Sequence, residues 1–127
     1  MPGEAILVVD DNPINVRLVR LLLGGEGYDV RTADGAAKAL EHLAGWSPRL
    51  ILMDLQMPGM DGFELTRILK ARPETRGIVV VALTAYAMKG DEERARAAGC
   101  DDYVSKPIDT RTLPGLIARH LTRTDER

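Results

Sequence analysis

The chain has 127 residues, with 17 Lys+Arg against 19 Asp+Glu and a formal net charge of -2. That length holds one ordinary domain able to bury a core without staples, and the charge balance lacks the basic excess of a dedicated nucleic-acid binder. One cysteine excludes an internal disulfide and a multi-cysteine zinc site, no apolar run nears the roughly 20 residues of a membrane span, and Met1-Pro2-Gly3-Glu4 has no signal-peptide character, so a cytoplasmic protein is expected.

In chain order, the apolar run at 5–9 predicts a first strand. A helix is expected over 13–24, with Asn12 as N-cap, Pro13 in the first turn, and Ile14, Leu18, Leu21 and Leu22 facing inward. Gly24, Gly25 and Gly27 are expected to stop it. A strand at 29–33 precedes an alanine-rich helix at 35–44 that turns Leu40 and Leu43 inward. The run at 50–53 is continuously apolar. A helix over 61–71 carries Phe63, Leu65, Ile68 and Leu69 and closes before Pro73. A fourth strand spans 78–83. The charged, alanine-rich stretch 88–98 reads as a helix ended by Gly99, with Asp91, Glu92 and Glu93 in a solvated acidic first turn. A weaker strand at 102–104 leads to a helix at 110–121 built on Leu113, Leu116, Ile117 and Leu121. Pro114 fits that helix poorly if Asp109 caps it, so the helix starts near Thr112 or has an irregular first turn. The tail 122–127 is polar and expected to fray.

Strand and helix thus alternate five times. Three strands are continuously apolar, as expected for a parallel sheet covered on both faces. The expectation is a single α/β domain over 1–127, with its core at about 5–121 and right-handed crossovers.

In such sheets the functional crevice lies at the carboxyl ends of the strands. Those ends carry Asp10-Asp11 after the first strand, Asp54 after the third, Thr84-Ala85 after the fourth and Lys106-Pro107 after the fifth. Any one aspartate has about even odds of being a helix cap. Three together repel one another, and a cation among them resolves the repulsion. Few carboxylates with room for water and phosphate oxygens suit Mg²⁺.

These stretches resemble a response-regulator receiver domain over about residues 5–121. The matching segments are Ile6-Leu7-Val8-Val9-Asp10-Asp11-Asn12, Leu52-Met53-Asp54-Leu55-Gln56-Met57-Pro58-Gly59-Met60-Asp61-Gly62, Ala82-Leu83-Thr84-Ala85 and Tyr103-Val104-Ser105-Lys106-Pro107. The chain is similar to stand-alone receivers of the chemotaxis-regulator and DivK-like kind. Met1 and the short polar tail favour a complete small protein over a receiver segment of a larger hybrid histidine kinase.

The resemblance implies a flavodoxin-like (βα)5 fold with strand order 2-1-3-4-5. It implies that Asp54 accepts a phosphoryl group from a phosphohistidine on a histidine kinase or a histidine phosphotransfer protein. Asp11, Asp54 and the backbone carbonyl of Gln56 are then Mg²⁺ ligands, with Mn²⁺ the other candidate, and Asp10 holds a metal-bound water. Lys106, through a cis Lys-Pro bond, and the Thr84 hydroxyl contact the phosphoryl group. Ala85 leaves room for it, Gln56 and Tyr86 tune the lifetime of the modified state, and Tyr103 is a rotamer switch coupled to Thr84. Output is then a protein–protein contact with a downstream effector, by a monomer or a weak phosphorylation-dependent dimer. The protein catalyses only its own modification.

Plainer readings apply elsewhere. Met57-Pro58-Gly59 and Gly62 read as turn chemistry. Tyr103 is equally well a half-buried strand aromatic. His42 and His120 read as surface residues, Trp46 and Cys100 as structural. Two competing classes lack their signatures. An Asp-nucleophile phosphatase usually carries Asp-x-Asp, whereas Leu55-Gln56 follows Asp54; a nucleotide or flavin module needs a glycine-rich phosphate loop, whereas Asp-Asp-Asn-Pro follows the first strand.

Overall fold

The structure is a computed structural model that describes residues 3–57, 61–84 and 89–125. The elements run β1 (Ala5–Val9), α1 (Pro13–Gly25), β2 (Asp29–Ala33), α2 (Ala36–Leu43), β3 (Leu50–Asp54), α3 (Gly62–Ala71), β4 (Val79–Thr84), α4 (Lys89–Ala98), β5 (Asp102–Ser105) and α5 (Leu113–Asp125). All strand pairs are parallel, in the order β2-β1-β3-β4-β5. This is the doubly wound order the resemblance implied.

The central strands read as continuous apolar runs because both faces are covered. Every residue of β3 is buried, whereas the edge strand β5 is only half-buried. One core lies under α2, α3 and α4 and joins Leu7, Val9, Ile51 and Met53 to Phe63, Leu65 and Leu69. The other lies under α1 and α5 and joins Ile6, Val8, Leu50 and Leu52 to Val19, Leu23, Ile117 and Leu121. Successive strand residues feed opposite cores, as the period of two requires.

Three local expectations are corrected. In α1 the buried residues are Val19 and Leu23, whereas Ile14, Leu18 and Leu21 are 77%, 37% and 69% exposed. The helix is so rich in apolar residues that an i, i+4, i+7 pattern fits two overlapping faces. It also runs through Gly24 and Gly25 and ends at Glu26, followed by Gly27 at φ 93°. Only Gly27 takes the left-handed backbone that favours glycine. In line with the later of the two expected starts, near Thr112, α5 begins at Leu113, which puts Pro114 in the first turn, where no intrahelical N–H is required. Asp109 instead anchors a preceding turn, its carbonyl accepting from the N–H groups of Thr112 and Leu113. The helix runs on to Asp125, beyond the frayed tail expected from 122.

Candidate functional site

The chain leaves β1 at Asp10, and the next residues are held by side-chain caps. Asn12 N–H donates to Asp10 Oδ1 at 2.9 Å, while the Asn12 side chain accepts from Ile14 and Asn15 N–H to open α1. Asn12 is therefore the cap, which leaves Asp11 exposed beside it with no capping role of its own. Asp54, the last residue of β3, is 1% exposed, and Gln56 N–H donates to its Oδ1 at 3.0 Å. Carboxylate oxygens of Asp10, Asp11 and Asp54 lie within 4.8 Å of one another.

Lys106 reaches this cluster from the end of β5. Its Nζ lies 3.3 Å from Asp10 Oδ2 and 3.4 Å from Asp54 Oδ1. Its backbone N–H bonds Thr84 O at 2.7 Å, and the Lys106-Pro107 peptide bond is cis. Among the described residues, the Lys106 ammonium lies within ion-pair range of two of the three carboxylates. Asp10 Oδ2 is buried and accepts no hydrogen bond, although Lys106 is within ion-pair range. Burial pushes the Asp54 carboxyl up to about 7; the Gln56 N–H opposes this, Asp10 adds to it, and Lys106 opposes it. An all-oxygen donor set with an orphaned buried carboxylate oxygen fits a hard divalent cation.

Thr84 ends β4, fully buried. Its hydroxyl is engaged by the Gln56 carboxamide: Nε2 donates to Oγ1 at 3.1 Å, and Oγ1 lies 3.3 Å from Oε1. The sequence reading assigned Gln56 a carbonyl and a lifetime effect and missed this contact. Tyr103 pairs with Ala82 in register, so it leaves the sheet on the same face as Thr84, two residues farther along β4. Tyr103 is half-buried and packs against the core beneath α2 to α4. Pro58, Gly59 and Met60 of the expected turn, and Ala85 and Tyr86, lie outside the described residues.

Gly62 is more than turn chemistry. It is buried against the Asp54-Leu55 backbone, where an added Cβ would collide with Asp54 O and with Leu55 Cα at 2.8 Å. Only glycine lets α3 start this close to the strand that carries Asp54. Beside the cluster, a cavity of about 600 Å³ opens between α1 and β2, with Asp10 and Asp11 in its wall.

The two histidines are not free surface residues. His42 Nε2 lies 3.0 Å from Thr32 O, and His120 is buried with Nε2 2.7 Å from Asp102 Oδ2. Cys100 is buried, its thiol pushed up by burial, in keeping with a structural role. Trp46 is half-buried and stacks under the Arg31 guanidinium.

Comparison with known proteins shows which family carries this arrangement. The family model for the response regulator receiver domain matches residues 6–118. The chain belongs to that family. The polar-differentiation response regulator DivK of Brucella anthropi is 47% identical over 106 residues, 83% of this chain and 85% of that one. Its counterpart in Brucella ovis gives the same figures. A CheY-like response regulator receiver domain from Methanospirillum hungatei superposes with a TM-score of 0.88 at 30% identity, covering 98% of each chain. The receiver domain of a sensor histidine kinase from Pseudomonas aeruginosa superposes with a TM-score of 0.86 at 33% identity, covering 94% of this chain and 98% of that one. That structure has a magnesium ion coordinated in its active-site cleft. The present receiver functions in two-component phosphorelay signalling. Among the described residues, no helix is long and apolar enough to cross a membrane.

Proposed function

We propose that Asp54 is the phosphoacceptor of this receiver and that the protein catalyses its own modification. The observation that carries the reading is the buried Asp54 carboxylate at the end of the central strand, 3.4 Å from the Lys106 ammonium and grouped with Asp10 and Asp11. An Asp54 oxygen attacks the phosphorus of a phosphohistidine on a histidine kinase or phosphotransfer protein. The N–P bond breaks as the O–P bond forms, and the imidazole leaves with the bonding pair and takes up a proton. Asp11, Asp54 and the Gln56 carbonyl would hold Mg²⁺, or Mn²⁺ in its place, with Asp10 orienting a water. When bound, the cation supplies positive charge between phosphoryl oxygens and carboxylates. Lys106 contributes a second, fixed positive charge on the other side.

Thr84 then donates its hydroxyl to the phosphoryl group, and Tyr103, on the same sheet face, answers by changing rotamer. The altered surface of α4, β5 and α5 carries the signal to an effector protein. The donor side is supported by α1, which starts two residues after Asp11 and turns Ile14, Leu18 and Leu21 to solvent at i, i+4 and i+7. That spacing makes one apolar stripe suited to an apolar helix of the donor.

The test is incubation with acetyl phosphate and Mg²⁺ followed by intact-mass measurement. One phosphoryl adduct per chain is expected, lost in Asp54→Asn. An adduct that persists in Asp54→Asn at wild-type yield refutes the assignment, and continuous release of product would mark an ordinary phosphatase.

A further inference from the structure

Gln56 touches two parts of the site at once. Its N–H holds Asp54 Oδ1, and its side chain spans the turn from β3 to the end of β4, where its carboxamide meets the Thr84 hydroxyl at 3.1 and 3.3 Å. A third contact, of its carbonyl with the cation, belongs to the proposed function. A carboxamide offers a donor and an acceptor side by side, so either orientation of its N and O leaves Thr84 Oγ1 a partner. Thr84 is fully buried, so water does not compete for this contact as it would at the surface.

We infer that the Gln56 carboxamide is a latch on Thr84, holding the hydroxyl in the ligand-free arrangement so that activation has to break this contact. The inference rests on the proposed role of Thr84 as the group that turns toward the phosphoryl oxygens. With Oε1 turned to it, Thr84 gives Gln56 its one proton, which then cannot also serve a phosphoryl oxygen; with Nε2 turned to it, the donor holds the hydroxyl oxygen where it lies. The ligand-free state is therefore favoured by the Gln56 contact, and the phosphorylated state by the competing one. A ligand shifts such an equilibrium only by its differential affinity for the two states. The latch thus sets how much of the phosphoryl group's binding goes into moving Thr84. Gln56 is a positioning residue here: its side chain acts through Thr84.

Two measurements test the latch. The first uses ligand-free protein and reads the three-bond Hα–Hβ coupling of Thr84 by NMR, which reports its side-chain rotamer. The wild type is expected to show a single-rotamer value, and Gln56→Leu and Gln56→Met an averaged one. An unchanged coupling in either folded variant overturns the latch, whatever residue accepts phosphate. The second measures affinity for beryllofluoride, a phosphoryl mimic, with Mg²⁺ by calorimetry. Removing the latch should tighten binding about fivefold, the equivalent of one net hydrogen bond of about 1 kcal/mol. The gain should persist in a Thr84→Ser background, which keeps the hydroxyl, and vanish in Thr84→Val. An equal gain in Thr84→Val would mean that Gln56 acts through the cation and would overturn the inference. Averaging of Thr84 without any gain in affinity would overturn its part in activation. Beryllofluoride binding to Asp54→Asn at wild-type affinity would instead overturn the acceptor assignment, a separate failure.

Discussion

The two ends of the sheet use the same charged residue types in opposite ways. At the carboxyl end, Asp10 and Asp54 share the Lys106 ammonium, Asp11 lies beside them, and a buried Asp10 oxygen has no hydrogen bond. At the amino end, charges come with matched partners. Lys70 Nζ donates to Ile78 O at 2.7 Å, to Arg76 O at 3.3 Å and to Asp101 Oδ2 at 2.9 Å, while Val80 N–H donates to the same Asp101 oxygen at 2.8 Å. Arg49 meets Glu4 at 2.6 Å, and His120 meets Asp102 at 2.7 Å. The amino end ties helices to strands; the carboxyl end gathers negative charge that suits a cation. Stability and function are thus placed at opposite poles of one fold.

Neutralising the carboxyl end gives the sharpest break in this contrast. In metal-free protein, Asp54→Asn should raise unfolding free energy by about 2–3 kcal/mol at pH 8, read by urea titration. Each unit by which the folded protein raises a pKa corresponds to about 1.4 kcal/mol, and Lys106 gives back part of the gain by losing one partner. The sign follows from linkage. With the Asp54 carboxyl raised to about 7, folding favours its neutral form, so the wild type loses stability as pH climbs from about 4 through 7. The gap between variant and wild type should therefore close by pH 4. Mg²⁺ should stabilise the wild type and not the variant. A variant no more stable than wild type at pH 8 would mean that the end is not frustrated.

Gly62→Ala strikes the same end by packing. Its Cβ meets backbone of the strand that carries Asp54, so something has to shift. Overpacking of this kind costs about 2 kcal/mol, and Mg²⁺ affinity should fall with it because Asp54 is displaced. Wild-type Mg²⁺ affinity in a destabilised Gly62→Ala would show that α3 yields instead of the site.

At the amino end, Lys70→Met should cost about 1–2 kcal/mol, since it removes the donor to the Ile78 carbonyl and the cation beside Asp101, which keeps its bond from Val80 N–H. Mg²⁺ affinity should stay unchanged. A change in both would mean that the two ends are coupled.

The carboxyl end was the more legible in sequence. Apolar runs that stop at Asp10, Asp54 and Thr84 announce strand ends directly, and the order of the units brings those ends together. The amino end was close to illegible. His120 and Asp102 lie 18 residues apart on different elements, and Lys70 and Asp101 lie 31 apart, so no local pattern pairs them. The facing of α1 failed for the reverse reason, a surplus of apolar residues around the wheel. Gly62 stood in plain view, but its need for a bare Cα comes from a close approach that only packing reveals.

The smallest predicted effect tests whether the amino end is satisfied in the electrostatic sense and not merely in geometry. Burial alone raises the Asp102 carboxyl, but the hydrogen bonds from the His120 ring and Tyr103 N–H, with the charges of His120 and Arg96, outweigh it and leave the pKa below its ordinary value. This is opposite in sign to Asp54. A carboxylate held low stabilises the fold above its unfolded pKa, near 4, and that contribution is lost as pH falls through the lower folded value. Asp102→Asn should therefore cost about 1 kcal/mol at pH 7, a charge-assisted hydrogen bond at a partly exposed site, and less at pH 3. His120→Leu should show the same trend, since it removes the same partner from the carboxylate. Urea titrations at the two pH values make the comparison. An Asp102→Asn cost that is equal at both would mean that the carboxylate's charge contributes nothing, and the His120–Asp102 contact would then be one of geometry and packing alone.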